Sequence, residues 1–411
     1  MNLGRVLKME KEQLILNANI VTRDGVLENH AVILAADRIK QIVAMDRLDQ
    51  AGPEYRRGPV HDAAGAYLAP GFIDIHSDSI ESIAQPRPTS IIDFEIALME
   101  HEKQLVNQGI TTMYHSLSFL RKEGASMRDK ETRKPVRMRE MAELIRNLQH
   151  HRHLIRHRFH CRFDIRNREG LDILMDYLAG GYINLLSFND HTPGQGQYRD
   201  LLRYRENLKN YKPGINEEEI ECLVAERMAV PVIAAETLKK TAEIARGQGI
   251  PVASHDDDSE EKVEYNHVEL QVAISEFPVE LSVARKAKAR GMHTVAGAPN
   301  VLLGRSHSGN MAAAAAILDG SIDILCSDYY PPAMLHAVFK LHYDYKLPLW
   351  DAFNLITLNP AQALGTDDEY GSVEPGKKAD LLAIQVFEGR PFITKVFIDG
   401  DLVSELNYRQ S

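Results

Sequence analysis

The residues best equipped for chemistry in this 411-residue sequence are histidines and acids placed at the ends of apolar runs. His76 and Asp78 close FIDIHSD, Asp164 lies in HCRFDIRN, and Asp190 and His191 close YINLLSFNDH. His255, followed by Asp256, Asp257 and Asp258, closes IPVASHD; Glu276 lies in VAISEFP and Asp328 in IDILCSDYY. Imidazole nitrogens and carboxylate oxygens are the donors that hold borderline or hard divalent cations. Each one alone has an ordinary alternative. Asp78 or Asp256 could cap a following helix, and Asp328, ahead of Tyr329-Tyr330-Pro331-Pro332, could organise a turn. Caps do not explain the recurrence at most run ends, and gathering so many such groups is costly unless a cation lies among them. A cation held this way lowers the pKa of water from ~15.7 toward ~7. Metal-assisted hydrolysis is therefore the chemistry this set supports. No GxSxG elbow, phosphate-binding GxxxxGK loop or Cys–His nucleophile pair offers another route.

A second set points to an anion. In GAPNVLLGRSHSGNMAAAAAIL, Ser306-His307-Ser308-Gly309 leads into an alanine-rich stretch. Backbone N–H groups at a helix start favour an anion, Arg305 adds charge and His307 a donor; a serine cap with a tight glycine is the plain alternative. The loop HTPGQGQYRD offers Gln195, Gln197 and Arg199 toward a substrate, or is simply surface. The formal net charge of −10 argues against a general nucleic-acid binder. Charge is nevertheless uneven: Arg121–Glu140 holds eight Lys or Arg against four acids, and His150–Arg166 holds five Arg and five His against one Asp. Such stretches either form a solvated helix face or gather an anionic small molecule.

These side chains need a scaffold that brings strand ends together. Between about residues 70 and 364, eight apolar, β-branched runs alternate with helix-patterned segments such as MREMAELIRNLQ, EEIECLVAERMA and AETLKKTAEIARGQ. Eight strands with intervening helices predict an α/β fold, a (β/α)8 TIM-type barrel, whose chemistry collects at the C-terminal strand ends. A doubly wound sheet is the rival, but HSDSIE after the first strand lacks the glycines of a nucleotide-binding turn. Residues 1–69 and 365–411 read as short strands with Gly and Pro turns, and predict a small β-sandwich domain assembled from both termini around the barrel at 70–364. Three scattered cysteines, Cys161, Cys222 and Cys326, form no disulfide framework and suggest a reducing, cytoplasmic setting. No run suits a signal peptide or a membrane span, so the sequence predicts a soluble protein with no membrane partner.

LAPGFIDIHSD with its strand-end His and Asp residues, and the terminal EPGKKADLLAI, resembles the amidohydrolase superfamily. HSDSIE, SFNDHTPGQGQYRD, SHDDD, ISEFPVE, GAPNVLLGRSHSGN and ILCSDYYPPAML together are similar to a branch acting on a ribose triphosphate in phosphonate metabolism, over about residues 12–402. That resemblance implies a (β/α)8 barrel with one or two divalent ions, Zn2+ or Mn2+. It also implies hydrolysis of a 1-methylphosphonate ribose 5-triphosphate to the 5-phosphate and pyrophosphate. Strand 1 carries His76-x-Asp78 rather than HxH, and residues 180–200 contain no lysine, so a bridging ligand would be Asp190 or Asp164. The implied site has His76, Asp78, His191, His255 and Asp328 around the metal, with Asp164, Asp190 or Glu276 completing it. Asp328 acts as general base, and Ser306–Gly309, with Arg305 and Arg199, holds a small anionic phosphorylated substrate. Pairing as a homodimer is a further expectation. The rivals are an amidase or deacylase on the same barrel, and a metal-free barrel serving as a scaffold.

Overall fold

The computed structural model describes residues 12–51, 58–118, 131–148, 152–212, 214–304 and 311–409. Strands β1 (Glu12–Val21), β2 (Val26–Ala35), β3 (Arg38–Ala44), β4 (Val60–Asp62) and β5 (Tyr67–Pro70) precede the first barrel strand. The barrel strands are β6 (Phe72–Ser77), β7 (Ile110–Ser118), β8 (Arg156–Asp164), β9 (Leu185–Asn189), β10 (Val252–His255), β11 (Ile274–Glu276), β12 (His293–Gly297) and β13 (Ile324–Cys326). Then come β14 (Leu381–Phe387), β15 (Arg390–Ile398) and β16 (Asp401–Glu405).

The eight middle strands form one parallel sheet in sequential order, β6 through β13. Burial on both faces makes parallel strands read as continuous apolar runs, and every residue of β6, β9, β10, β11 and β13 is buried. Outward positions such as Phe159, Cys161 and Phe163 of β8 pack with Leu174, Tyr177 and Leu178 of the helix Leu171–Ala179. Inward positions Ile73, Tyr114, Leu185, Ala253, Ile274, Val295 and Ile324 fill the lower bore, stoppered by Ala361 and Leu364. The sheet closes where Ser77 bridges Asp328 in parallel. There the Asp328 N–H donates to the His76 carbonyl at 3.0 Å, and the Asp78 N–H to the Asp328 carbonyl at 2.9 Å. Closure thus places Asp328 against the end of β6.

The two termini build one mixed sheet in the order β16-β15-β14-β5-β1-β2-β3, with β4 beside β1. Its seam is the antiparallel pairing of β5 with β14, which sets Pro70 opposite Leu381. Of the C-terminal stretch GSVEPGKKADLLAIQ, only the part from Leu381 onward is strand; Gly371 and Gly376 turn the chain before it at φ 89° and 93°. None of the three cysteines is paired, and no described helix is long and apolar enough to cross a membrane.

Candidate metal centre

Side-chain alternation decides what reaches the bore. On β8 the inward set is His160, Arg162 and Asp164, because Phe159, Cys161 and Phe163 point to the helices. Asn189 is level with His255, and His255 with Glu276, across adjacent strands. One layer at the C-terminal mouth therefore holds an amide, an imidazole and a carboxylate. The chain then turns sharply after three of these strands. Asp256, Phe277 and Asp328 take left-handed φ values of 56°, 54° and 57°, which costs a non-glycine residue about 1–3 kcal/mol. These turns put Asp256 beside the site and Phe277 over it, the Phe277 ring lying 4.9 Å from that of His76 and 5.1 Å from that of His255.

Two sets of donors converge. His76, His255 and Glu276 each offer an atom within 4.8 Å of the others, and so do His191, His255 and Asp256. His255 belongs to both. His76 Nδ1 donates to Glu276 Oε1 at 2.9 Å, and Ser116 Oγ lies 3.2 Å from His76 Nε2. His160 Nδ1 donates to the Ile75 carbonyl at 3.0 Å; a carbonyl only accepts, so the lone pair of this ring is on Nε2. That Nε2 faces Glu276 Oε2 at 3.6 Å.

The hydrogen bonds do not close. His160 Nε2, Glu276 Oε2, His255 Nδ1 and Asp256 Oδ2 are buried without a hydrogen-bond partner, although His255 Nδ1 and Asp256 Oδ2 are only 2.9 Å apart. Leaving a buried polar atom unpaired costs about 1–3 kcal/mol. Four in one cluster, two imidazole nitrogens and two carboxylate oxygens, fit a divalent cation. Burial keeps the imidazoles neutral and able to ligate: His160 is pushed down to about 3 and His191 to about 4, while His76 and His255 fall well below the usual histidine range. The Arg162 charge works in the same direction on all four. Burial, and then the Asp78 carboxylate, pushes Asp328 up to about 7.

The expected site residues divide. His76, His191, His255 and Glu276 converge, with Asp328 beside them through the closing seam. Asp164 touches the edge, its Oδ2 lying 3.9 Å from His191 Nδ1 while its Oδ1 accepts from the Arg166 N–H at 2.8 Å. Asp190 holds a turn instead: it accepts from the Thr192 N–H at 3.1 Å and lies 3.4 Å from Arg166 Nε. Asp78 lies 3.6 Å from Arg133 and belongs to neither donor set. Arg199 is engaged by Glu280 at 2.5 Å. Arg305, Ser306, His307, Ser308 and Gly309 lie outside the described residues.

Three residues of the site were not among the expected ligands: His160, Arg162 and Asp256. The signal for the first two was the alternation in HCRFD, three polar side chains on one strand face. The stretch around them is no solvated helix face, since residues 156–164 are a barrel strand. Asp256 was hidden among three successive aspartates with three different roles. Asp257 accepts from Ser254, Ser275 and Asn266 beneath the site, and Asp258 accepts from the Gly196 N–H to hold the loop after β9.

A closed eight-stranded parallel barrel, a sheet shared by both termini and histidines and acids at the strand ends define a hydrolase architecture with candidate metal-binding groups at its mouth. The chain belongs to the amidohydrolase family, whose model matches residues 67–403. It is 31% identical over 346 residues to the alpha-D-ribose 1-methylphosphonate 5-triphosphate diphosphatase of Escherichia coli (strain K12), covering 83% of this chain and 89% of that one. Among solved structures it is similar in fold to N-acetylglucosamine-6-phosphate deacetylase from Pasteurella multocida, with TM-score 0.62, 13% identity and coverage of 96% and 100% of the two chains. N-isopropylammelide isopropylaminohydrolase from Burkholderia multivorans gives TM-score 0.63 at 16% identity, covering 96% and 98%.

Proposed function

We propose that this hydrolase cleaves the triphosphate of a small, multiply anionic sugar phosphonate, releasing pyrophosphate and leaving a 5-phosphate, as the name of the Escherichia coli relative describes for that enzyme. The observation that carries the reading is the cluster of four buried imidazole and carboxylate atoms without hydrogen-bond partners, joined to Asp328 through His76 at the closing seam of the barrel. His76, His255 and Glu276, with His160, His191 and Asp256 around them, would hold one or two divalent ions, Zn2+ or Mn2+ by donor type. Such an ion, when bound, supplies Lewis acidity that activates water and offsets phosphoryl charge.

The protein's own groups do the rest. The Asp328 carboxylate, held at the rim by its backbone bonds to His76 and Asp78, accepts the proton of the attacking water. Its raised affinity for a proton suits a base that must take one up near neutral pH. Phe277 covers the two central imidazoles and keeps bulk water from them.

The test is product analysis. Protein reconstituted with Zn2+ or Mn2+ is incubated with ribose 1-methylphosphonate 5-triphosphate, with a nucleoside triphosphate and with N-acyl amino acids. Stoichiometric pyrophosphate from the first is the expected result. Release of acyl groups with no pyrophosphate would replace this reading by the deacylase one. Purified protein devoid of stoichiometric metal would favour the scaffold.

A further inference from the structure

Around the mouth of the barrel, arginines meet two different fates. Arg133 clasps Glu81 through two bonds of 2.7 and 2.8 Å. Arg166 lies against Asp190 and donates to the Val230 carbonyl, and Arg199 is held by Glu280. Arg162 has no such engagement: among the described residues it makes no hydrogen bond or ion pair, and its Nε is buried without an acceptor. It projects from the inward face of β8, between His160 and Asp164. Its positive charge disfavours protonation of His76, His160, His191, His255, Asp256 and Asp328, in keeping with its place on that inward face.

The neighbouring strands present small side chains at this level. Arg162 pairs in register with Ser118 on β7 and Ser187 on β9, both small. The Ser187 hydroxyl is also buried and unpaired. Two hydrogen-bond donors without acceptors among the described residues therefore sit in register, on the strands that carry His160 and Asn189 into the candidate metal centre. A guanidinium close to a divalent ion is a repulsive pair unless an anion lies between them. A planar fork of N–H donors matches the oxygens of a phosphoryl group.

From this we infer that Arg162, assisted by Ser187, binds a non-bridging phosphoryl oxygen of the substrate and selects polyphosphates over uncharged amides. The inference rests on the triphosphate reading of the same site and adds the residue that recognises the anion. Arg162 is a substrate-binding residue in this reading.

The experiment compares the full-length, metal-reconstituted protein with its Arg162→Gln and Arg162→Lys variants. Binding of inorganic tripolyphosphate is followed by calorimetry, and metal content is measured before and after. Loss of one charge-assisted contact should weaken binding at least about tenfold in Arg162→Gln. Arg162→Lys should fall between, since lysine keeps the charge and loses the fork. Metal content should stay at the wild-type level in both. Unchanged tripolyphosphate affinity in a fully metallated Arg162→Gln protein would overturn the inference, as would loss of metal from both variants or absence of binding by the wild type. Failure of the function itself shows elsewhere: the wild type would then release no pyrophosphate from any triphosphate, whatever the variants bind.

Discussion

Asp328 serves the molecule through two different sets of atoms. Its backbone is the rivet between the first and last barrel strands, and its buried carboxylate, close enough to Asp78 and Asp256 to feel their charge, holds its proton up to about pH 7. Asp328→Asn keeps the rivet and removes the base. It should lower kcat by about 10²–10⁴-fold with little change in melting temperature or metal content, which steady-state kinetics beside calorimetry and elemental analysis would show. His255 is common to both donor groups. His255→Ala should therefore weaken metal binding by more than the about 10–100-fold expected from losing an outer hydrogen-bond partner, and more than His191→Ala does, as competition with a chelating dye would report. Much of this site was legible in the sequence, because a barrel concentrates polar groups at its strand ends, where His76, His191, His255, Glu276 and Asp328 stand. His160 and Arg162 were missed because they lie inside a strand. Only the period-two pattern, read with a known inward face, exposes them. Asp256 depended on a left-handed turn that its sequence does not announce.

At the scale of elements, strands and helices followed from apolar periodicity, while the fate of polar residues at their ends did not. Asp190 looked like a ligand beside His191 and instead caps a turn, since a carboxylate two residues ahead of a free N–H has a local partner at no cost in chain order. Asp323, just ahead of β13, ties two strands together. It accepts from the Thr294 N–H at 2.7 Å and lies 2.9 Å from His293 and 2.8 Å from Lys288. Burial alone would raise its pKa, but these donors outweigh it and hold the group at about 2. A depressed carboxylate adds stability above its unfolded value, near 4, and loses it as the pH falls toward 2. Asp323→Asn should accordingly be less stable at pH 7 by about 1–3 kcal/mol. The gap should narrow as urea unfolding is repeated at pH values falling below 4; a gap independent of pH would count against the charge as its source.

Across the whole molecule, the barrel and the terminal sheet are locked by a buried ion cluster. Arg156, at the start of β8, donates to both oxygens of Asp380 at 2.5 and 2.9 Å and to Asp399 at 2.9 Å, with its guanidinium over the Tyr370 ring. Removing one partner of a buried pair leaves the other charge stranded, at about 3–5 kcal/mol. Arg156→Met should lower the melting temperature sharply, and hydrogen exchange should show β14 to β16 opening first. Asp380 and Asp399 lie more than 220 residues from Arg156, and no local pattern in the sequence could have paired them.

The pairing of β5 with β14 has a consequence for how the chain comes into being. Strand β5 leaves the ribosome before the barrel is made, yet its neighbour β14 follows only after the whole barrel. At about 5–20 residues per second, that edge must wait through roughly tens of seconds of synthesis, its N–H and C=O groups open to wrong partners. A message truncated after the barrel codons would yield a product that keeps every ligand of the candidate centre but leaves this edge bare. Such a product should need a chaperone to stay in solution, and supplying residues 365–411 as a separate peptide should rescue it.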